Sequence, residues 1–148
     1  KSNIIREFAI ATVHPLVDFP EIDELLSEGG RSIDAEEING LLNKHSLGVW
    51  IVGHNIPEFD AIKLREIGVT LGDDNLLDTL ELSLILDPLK SRHALDGEHR
   101  AREDVLKNIS LFWSFDRRWL ALPRKDVEKH LSWQDHASGL GRYLNAAL

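Results

Sequence analysis

Gly48-Val49-Trp50-Ile51-Val52-Gly53 runs straight into His54-Asn55-Ile56-Pro57-Glu58-Phe59-Asp60. The first six residues form a short, continuous, β-rich apolar run, the pattern of a buried parallel strand. The next seven predict a helix start. Asn55 is a candidate N-cap, Pro57 suits the first turn, and Glu58 stands three residues after Asn55. Gly68 lies where a left-handed stop would end that helix. A strand feeding directly into a helix is the opening of a parallel crossover unit, so this stretch predicts an α/β chain.

The flanking sequence continues the alternation. Downstream, Leu76-Leu77-Asp78-Thr79-Leu80 reads as a short strand, and Glu81 to Leu86 as a helix stopped by Pro88. A long helix is expected from Ala101 to Leu122. There Ala101, Val105, Ile109, Phe112, Phe115, Trp119 and Leu122 recur every three or four residues as one apolar stripe. Pro123 closes it. Residues 124–148 form a last amphipathic stretch carrying Val127, Leu131, Ala137, Leu140 and Leu144. Upstream, Ile4 to Val13 is rich in β-formers on both parities, which predicts an interior strand ending at Pro15. Residues 16–33 hold prolines, Gly29-Gly30 and many acids, and read as a loop with a short helical turn. Ala35 to Lys44 reads as a helix, with Asp34 as N-cap and Glu37 three residues on in a capping box. The expected organisation is one domain over 1–123. A helical extension, or the start of a following module, then occupies 124–148.

Composition narrows the function classes. At 148 residues the chain is long enough for one domain, and 43% apolar content can fill a core without disulfides. Cysteine is absent, which excludes a disulfide scaffold, a thiolate zinc site and a cysteine nucleophile. This fits a reducing, cytoplasmic setting. No apolar run approaches the ~20 residues of a membrane span, and the first residues show no signal-peptide pattern. The chain opens at Lys1 rather than Met, so processing or further upstream sequence is expected. Seventeen basic residues against 25 acidic ones give a net charge of −8. That argues against a surface that grips nucleic acid by charge alone. It leaves room for carboxylates that borrow their positive charge from metal ions.

Two acids and one histidine stand out. Asp60 aligns with Leu64 and Ile67 on its helix, the apolar positions. It is either an ordinary helix-start acid facing the dipole, or a carboxylate at the rim of a cleft beyond a parallel strand, where open α/β sheets bind ligands. Asp104 repeats the situation in the first turn of the long helix. His99 lies just upstream in Glu98-His99-Arg100-Ala101-Arg102-Glu103-Asp104. A histidine beside metal-binding carboxylates can take a proton from water. Two divalent ions about 3.5–4 Å apart can stabilise in-line attack on a phosphate.

These residues carry a family resemblance. The order is a strand, His54-Asn55-(x3)-Phe59-Asp60, then Leu77-Asp78-Thr79-Leu80, then His99-Arg100-Ala101-(x2)-Asp104, then a long helix. It resembles the DEDDh branch of the DnaQ-like 3′–5′ exonucleases over roughly residues 4–122. The resemblance implies a ribonuclease H-like three-layer α/β/α fold. It implies Mg2+ or Mn2+ held by Asp60 and Asp104, two ions in the complete site, with His99 as general base. Asn55 and Phe59 would shape the site, and Asp78 and Thr79 would close the supporting strand. The implied substrate is the 3′ end of a single-stranded nucleic acid, and a helicase or polymerase domain of a larger protein is a possible companion. The family's first motif, D-x-E on the first strand, should precede Ile4, where the chain has only Lys1-Ser2-Asn3. Asp34-Ala35-Glu36 has the spacing, but it opens a helix and follows the strand it should precede. The implied fold therefore lacks its N-terminal strand here. The alternative is a catalytically inactive nucleic-acid- or protein-binding module on the same fold.

The remaining signals are weaker. His14, His45, His93, His130 and His136 show no metal-ligand spacing, and no Walker, G-x-S-x-G or G-x-G-x-x-G pattern occurs. Arg92, Arg100, Arg102, Arg117 and Arg118 either meet a phosphate backbone or form solvated helix faces. Leu106, Trp113 and Leu120 make a second stripe on the long helix. That stripe packs either on the C-terminal stretch or on another domain.

Overall fold

The computed structural model describes residues 4–13, 20–45, 50–72, 75–95, 100–134 and 138–146. It begins with strands β1 (Glu7–Thr12) and β2 (Glu21–Leu26), followed by helix α1 (Ala35–His45). Strand β3 (Ile51–Gly53) leads through a π-helical turn, Ile56–Asp60, into α2 (Ala61–Glu66). Strand β4 (Leu76–Asp78) passes directly into α3 (Thr79–Leu86). The long α4 (Ala101–Leu120) and the short α5 (Arg124–Leu131) and α6 (Gly139–Ala146) complete a mixed α/β chain.

The strands form two small sheets. β1 pairs antiparallel with β2, Glu7 opposite Leu26 and Thr12 opposite Glu21. β3 pairs parallel with β4, Ile51 opposite Leu76 and Gly53 opposite Asp78. Helix α4 touches β1, β2 and β3 and so bridges the two sheets.

β2 overturns the expectation of a loop over 16–33. Its run Glu21-Ile22-Asp23-Glu24-Leu25-Leu26 has few β-formers, and β1 supplies the ladder that holds it extended. β1 itself is not an interior strand among the described residues, because each sheet there has two strands. The end of α1 locks onto this hairpin. His45 is buried, with Nδ1 2.7 Å from Thr12 Oγ1 and Nε2 2.8 Å from Asp23 Oδ2. The start of α1 carries the expected capping box. Glu37 N–H donates to Asp34 Oδ1 at 2.9 Å, and Asp34 N–H donates to Glu37 Oε2 at 3.1 Å.

The largest core cluster joins Leu77 of β4, Leu82 of α3, and Phe115 and Trp119 of α4 to the C-terminal helices. Those helices contribute Val127 and Leu131 from α5, and Leu140, Tyr143 and Leu144 from α6. At roughly 1.5–3 kcal/mol per fully buried large apolar side chain, residues 124–146 supply a sizeable share of the hydrophobic stabilisation. α6 also approaches the β4 backbone closely. A Cβ added at Gly139 would stand 1.6 Å from the Leu76 carbonyl oxygen, so this contact requires glycine. The second stripe of α4 is only partly covered. Leu106 and Leu120 are exposed, while Trp113 rests on Phe112, which meets Tyr143 of α6. A separate cluster of Ile33, Ile38, Leu42, Leu64 and Val69 lies under the hairpin. No helix among the described residues is long and apolar enough to cross a membrane.

Candidate active site

The chain leaves β3 through a tight turn. Gly53 is needed there because a Cβ would fall 2.8 Å from Ile56 Cβ. Asn55 then adopts a left-handed backbone, φ 60° and ψ 29°, and makes no side-chain cap. The expectation that Asn55 caps the next helix is therefore corrected. Asparagine is favoured both at N-caps and in left-handed turns, and the turn prevails here. The first turn is π-helical, and regular α-helix starts at Ala61. Gly68, at φ 97°, ends the helix as expected.

Asp78 holds this turn in place. Its buried carboxylate accepts the Asn55 N–H at 2.6 Å and the Leu80 N–H at 2.9 Å through the same oxygen, Oδ1. One side chain thus closes the turn after β3 and caps α3. Burial pushes the Asp78 carboxyl above the usual carboxylate range, while those two N–H groups and His54 pull it back.

Thr79 is fully buried and links three elements. Its Oγ1 lies 3.1 Å from the Gly53 carbonyl, 2.6 Å from Asn108 Oδ1 and 3.0 Å from His54 Nδ1. Asn108 in turn donates from Nδ2 to the Val52 carbonyl at 3.3 Å. β3, α3 and α4 are therefore tied by one polar network inside an apolar layer. Asn108 stands four residues after Asp104, a single polar residue within the apolar stripe of α4. That was the signal in the sequence, and the periodicity reading passed over it.

The candidate acids lie on elements that this frame joins. Asp60 closes the π-turn and Asp104 stands in the first turn of α4, on separate elements. Asp60 is exposed at its outer side, yet burial behind the carboxyl is the largest influence on it and raises its pKa. The charges of Asp104 and Asp78 raise it further, and Lys63 opposes them. Glu58 belongs to the same field. It acts on Asp78 and on Glu81, whose own carboxyl is raised by burial and then by Asp78. The His54 ring faces the group too. Burial lowers its pKa, against the pull of Asp78 and Asp104. Each of the two proposed ligands has a lysine three residues on. Lys107 Nζ is 3.2 Å from Asp104 Oδ1, and Lys63 lies near Asp60 with its ammonium 3.4 Å above the Phe59 ring.

Phe59 is half exposed beside Asp60. His99 lies outside the described residues. His93 pairs with Ser83, Nδ1 to Oγ 2.7 Å, but Ser83 is 1% exposed and closed to a substrate. Among the described residues no group of three or more His, Asp or Glu side chains gathers at ion-binding spacing. Asp60 and Asp104 are oxygen donors of the kind a divalent ion takes, and among the described residues they are not part of such a group. No family model, curated protein or solved structure matches this chain.

Proposed function

We propose that this chain is the greater part of a metal-dependent 3′–5′ exonuclease domain with a ribonuclease H-like fold. The observation that carries the reading is placement: Asp60 ends the turn that directly follows the parallel strand β3, and Asp104 lies in the first turn of α4, the helix tied to β3 through Asn108. The two acids are far apart in sequence and start different helices. In this reading Asp60 and Asp104 hold Mg2+ or Mn2+. The bound ion would supply Lewis-acid stabilisation of a phosphate. His99, immediately before Arg100, would take the proton of the attacking water. Asp78 and Thr79 fix the turn that presents Asp60. Asn55 fixes it through its N–H, and Phe59 offers a face for a base at the strand end.

The two carboxylates do not complete an ion cage, since Mg2+ requires near-octahedral oxygen ligation. The reading therefore requires an acidic pair on a further strand, and β1 and β3 each keep one edge without a strand partner among the described residues. A second reading, a binding module without catalysis, is favoured by Lys107 on Asp104 and Lys63 near Asp60, which neutralise acids that ions would otherwise hold.

The test uses a 3′-labelled single strand and Mg2+ or Mn2+. The 148-residue chain should bind Mg2+ weakly and release no nucleotides. A longer form with an upstream strand bearing D-x-E should release them, and Asp60→Asn or Asp104→Asn should stop it. Metal-dependent release by the 148 residues alone would mean that Glu58 or Asp78 completes the site. An inactive longer form that binds the strand would select the second reading.

A further inference from the structure

Among the described residues, the N-cap residue of helix α4 gives it no side-chain cap. That residue, Arg100, has extended backbone, so the first-turn N–H groups need partners from elsewhere. One comes from the opposite end of the sequence. Glu7, the first residue of β1, accepts the Ala101 N–H through Oε2 at 3.2 Å and Arg100 Nη1 through Oε1 at 2.8 Å. The next bond of the helix, Asp104 N–H to the Arg100 carbonyl at 2.8 Å, closes the turn that Glu7 opens. The Ala101 N–H and Arg100 together hold the Glu7 carboxyl below its usual range, so it is ionised when the site is.

We infer that Glu7 is a positioning residue: a cap supplied by β1 that sets where α4 starts, and with it the placement of Asp104. The chemistry suits the role. A carboxylate at a helix N-terminus meets both the orphan N–H and the positive end of the dipole. Anchoring through a strand ties the helix start to the hairpin, where a local cap would leave it free to pivot. The charge also engages Arg100, the N-cap residue itself, so side chain and backbone of the helix start are held together. A glutamate on the first residue of an antiparallel strand would ordinarily be a solvated edge group, whereas here both oxygens are committed to one helix end. The inference about position stands on the geometry alone. Its meaning for catalysis rests on the exonuclease reading.

The test measures position directly in the whole chain. The protein has no cysteine, so spin labels placed by Ile62→Cys on α2 and Arg102→Cys on α4 report one distance between exposed sites. With Glu7 present the distribution should be narrow. Glu7→Ala should broaden it or shift it by about 2 Å, the scale of a helix displacement. In the unlabelled protein the same substitution should speed hydrogen exchange at the Ala101 and Asp104 amides roughly fivefold, the loss of a typical cap. Exchange at Phe115 and Trp119, in the same helix, should not change. Glu7→Gln keeps an acceptor for Ala101 and loses the charge facing Arg100, so it should restore most of the protection. If Glu7→Ala fails to fold, the narrow distribution expected of Glu7→Gln and the broadening expected of Glu7→Thr decide the matter. An unchanged distribution and unchanged exchange in the alanine variant would overturn the inference. None of these measurements needs metal or nucleic acid, so a failed nuclease assay leaves their outcome intact.

Discussion

Replacing Thr79 by valine should test the frame that holds the acids. Valine matches threonine in shape, so the change removes a hydroxyl and leaves the apolar packing of a fully buried side chain nearly intact. Three groups lose their partner: Asn108 Oδ1, the Gly53 carbonyl and His54 Nδ1. The hydroxyl has one proton, so it donates to one oxygen at a time, and the losses do not simply add. A buried acceptor left without a donor costs about 1–3 kcal/mol. Asn108 is nearly inaccessible to water, whereas the half-buried His54 can turn toward solvent. The expected destabilisation of Thr79→Val is therefore about 2–4 kcal/mol, mostly from Asn108 and Gly53. Thr79→Ser keeps the hydroxyl and loses one methyl, which costs about 1 kcal/mol. Urea unfolding followed by tryptophan fluorescence suits the measurement, because Trp119 is fully buried in the same layer. Valine no worse than serine would show that the hydroxyl network contributes nothing and that β3, α3 and α4 are joined by packing alone.

Gly139→Ala puts a Cβ 1.6 Å from the Leu76 carbonyl oxygen, backbone that cannot rotate aside. After the ~1 kcal/mol that alanine gains in a helix, it should still destabilise by about 3 kcal/mol or more, and an unchanged melting temperature would contradict the docking of α6 on β4. Asp60→Asn should raise the melting temperature at pH 7. The Asp60 carboxyl is raised in the folded chain by burial and by Asp104 and Asp78, so its ionisation costs stability once the pH exceeds the folded value. The advantage of asparagine should vanish below about pH 4, where aspartate is protonated folded and unfolded alike, and equal stability at both pH values would count against the shared field. In the nuclease-active form, His99→Ala should lower turnover by roughly 10²–10⁴-fold with substrate binding unchanged, and near-normal turnover at pH 7–8 would remove His99 as the base.

Where local sequence carries its own partner, the elements could be read in advance. Asp34 and Glu37 are three residues apart and cap each other, so the start of α1 was legible. The stop at Gly68 followed from a positive-φ residue, and the apolar stripe placed α4 to within two residues of its end, Leu120 rather than Leu122. β2 was not legible, because Glu21 to Leu26 is acidic and becomes a strand only by pairing with β1 and by meeting Lys44 and His45 at Asp23. Asn55 was misread because one residue type serves two backbone conformations. In the site, Asp60 and Asp104 could be singled out as acids beginning helices near apolar positions. Asn108 shows only as one polar residue in the apolar stripe of α4, and Glu7 not at all, since its partner lies 94 residues away.

The charge pattern around Asp60 and Asp78 bears on what the site is for. Asp60, Asp78 and Glu81 are each pushed upward by burial, and each also feels another carboxylate. A fold selected for stability alone would not crowd acids in this way, since each raised carboxyl costs stability at neutral pH. Asp78 has a structural return, because its oxygen binds two backbone N–H groups. Asp60 has none of that kind. It makes no side-chain cap, and Lys63 acts on it only through space. The carboxylate with the weakest structural reason to be there is thus the one that feels both Asp78 and Asp104. In the proposed reading a bound cation would offset that cost, while Lys107 pairs with Asp104 and Lys63 acts on Asp60. Of the two readings, the ion-holding one explains why Asp60 stands where it does, and the binding-module reading must treat it as a relic. Asp60→Asn separates them. A gain in stability with undiminished ligand binding would mark Asp60 as dispensable, whereas a gain in stability together with lost metal affinity would mark it as a ligand.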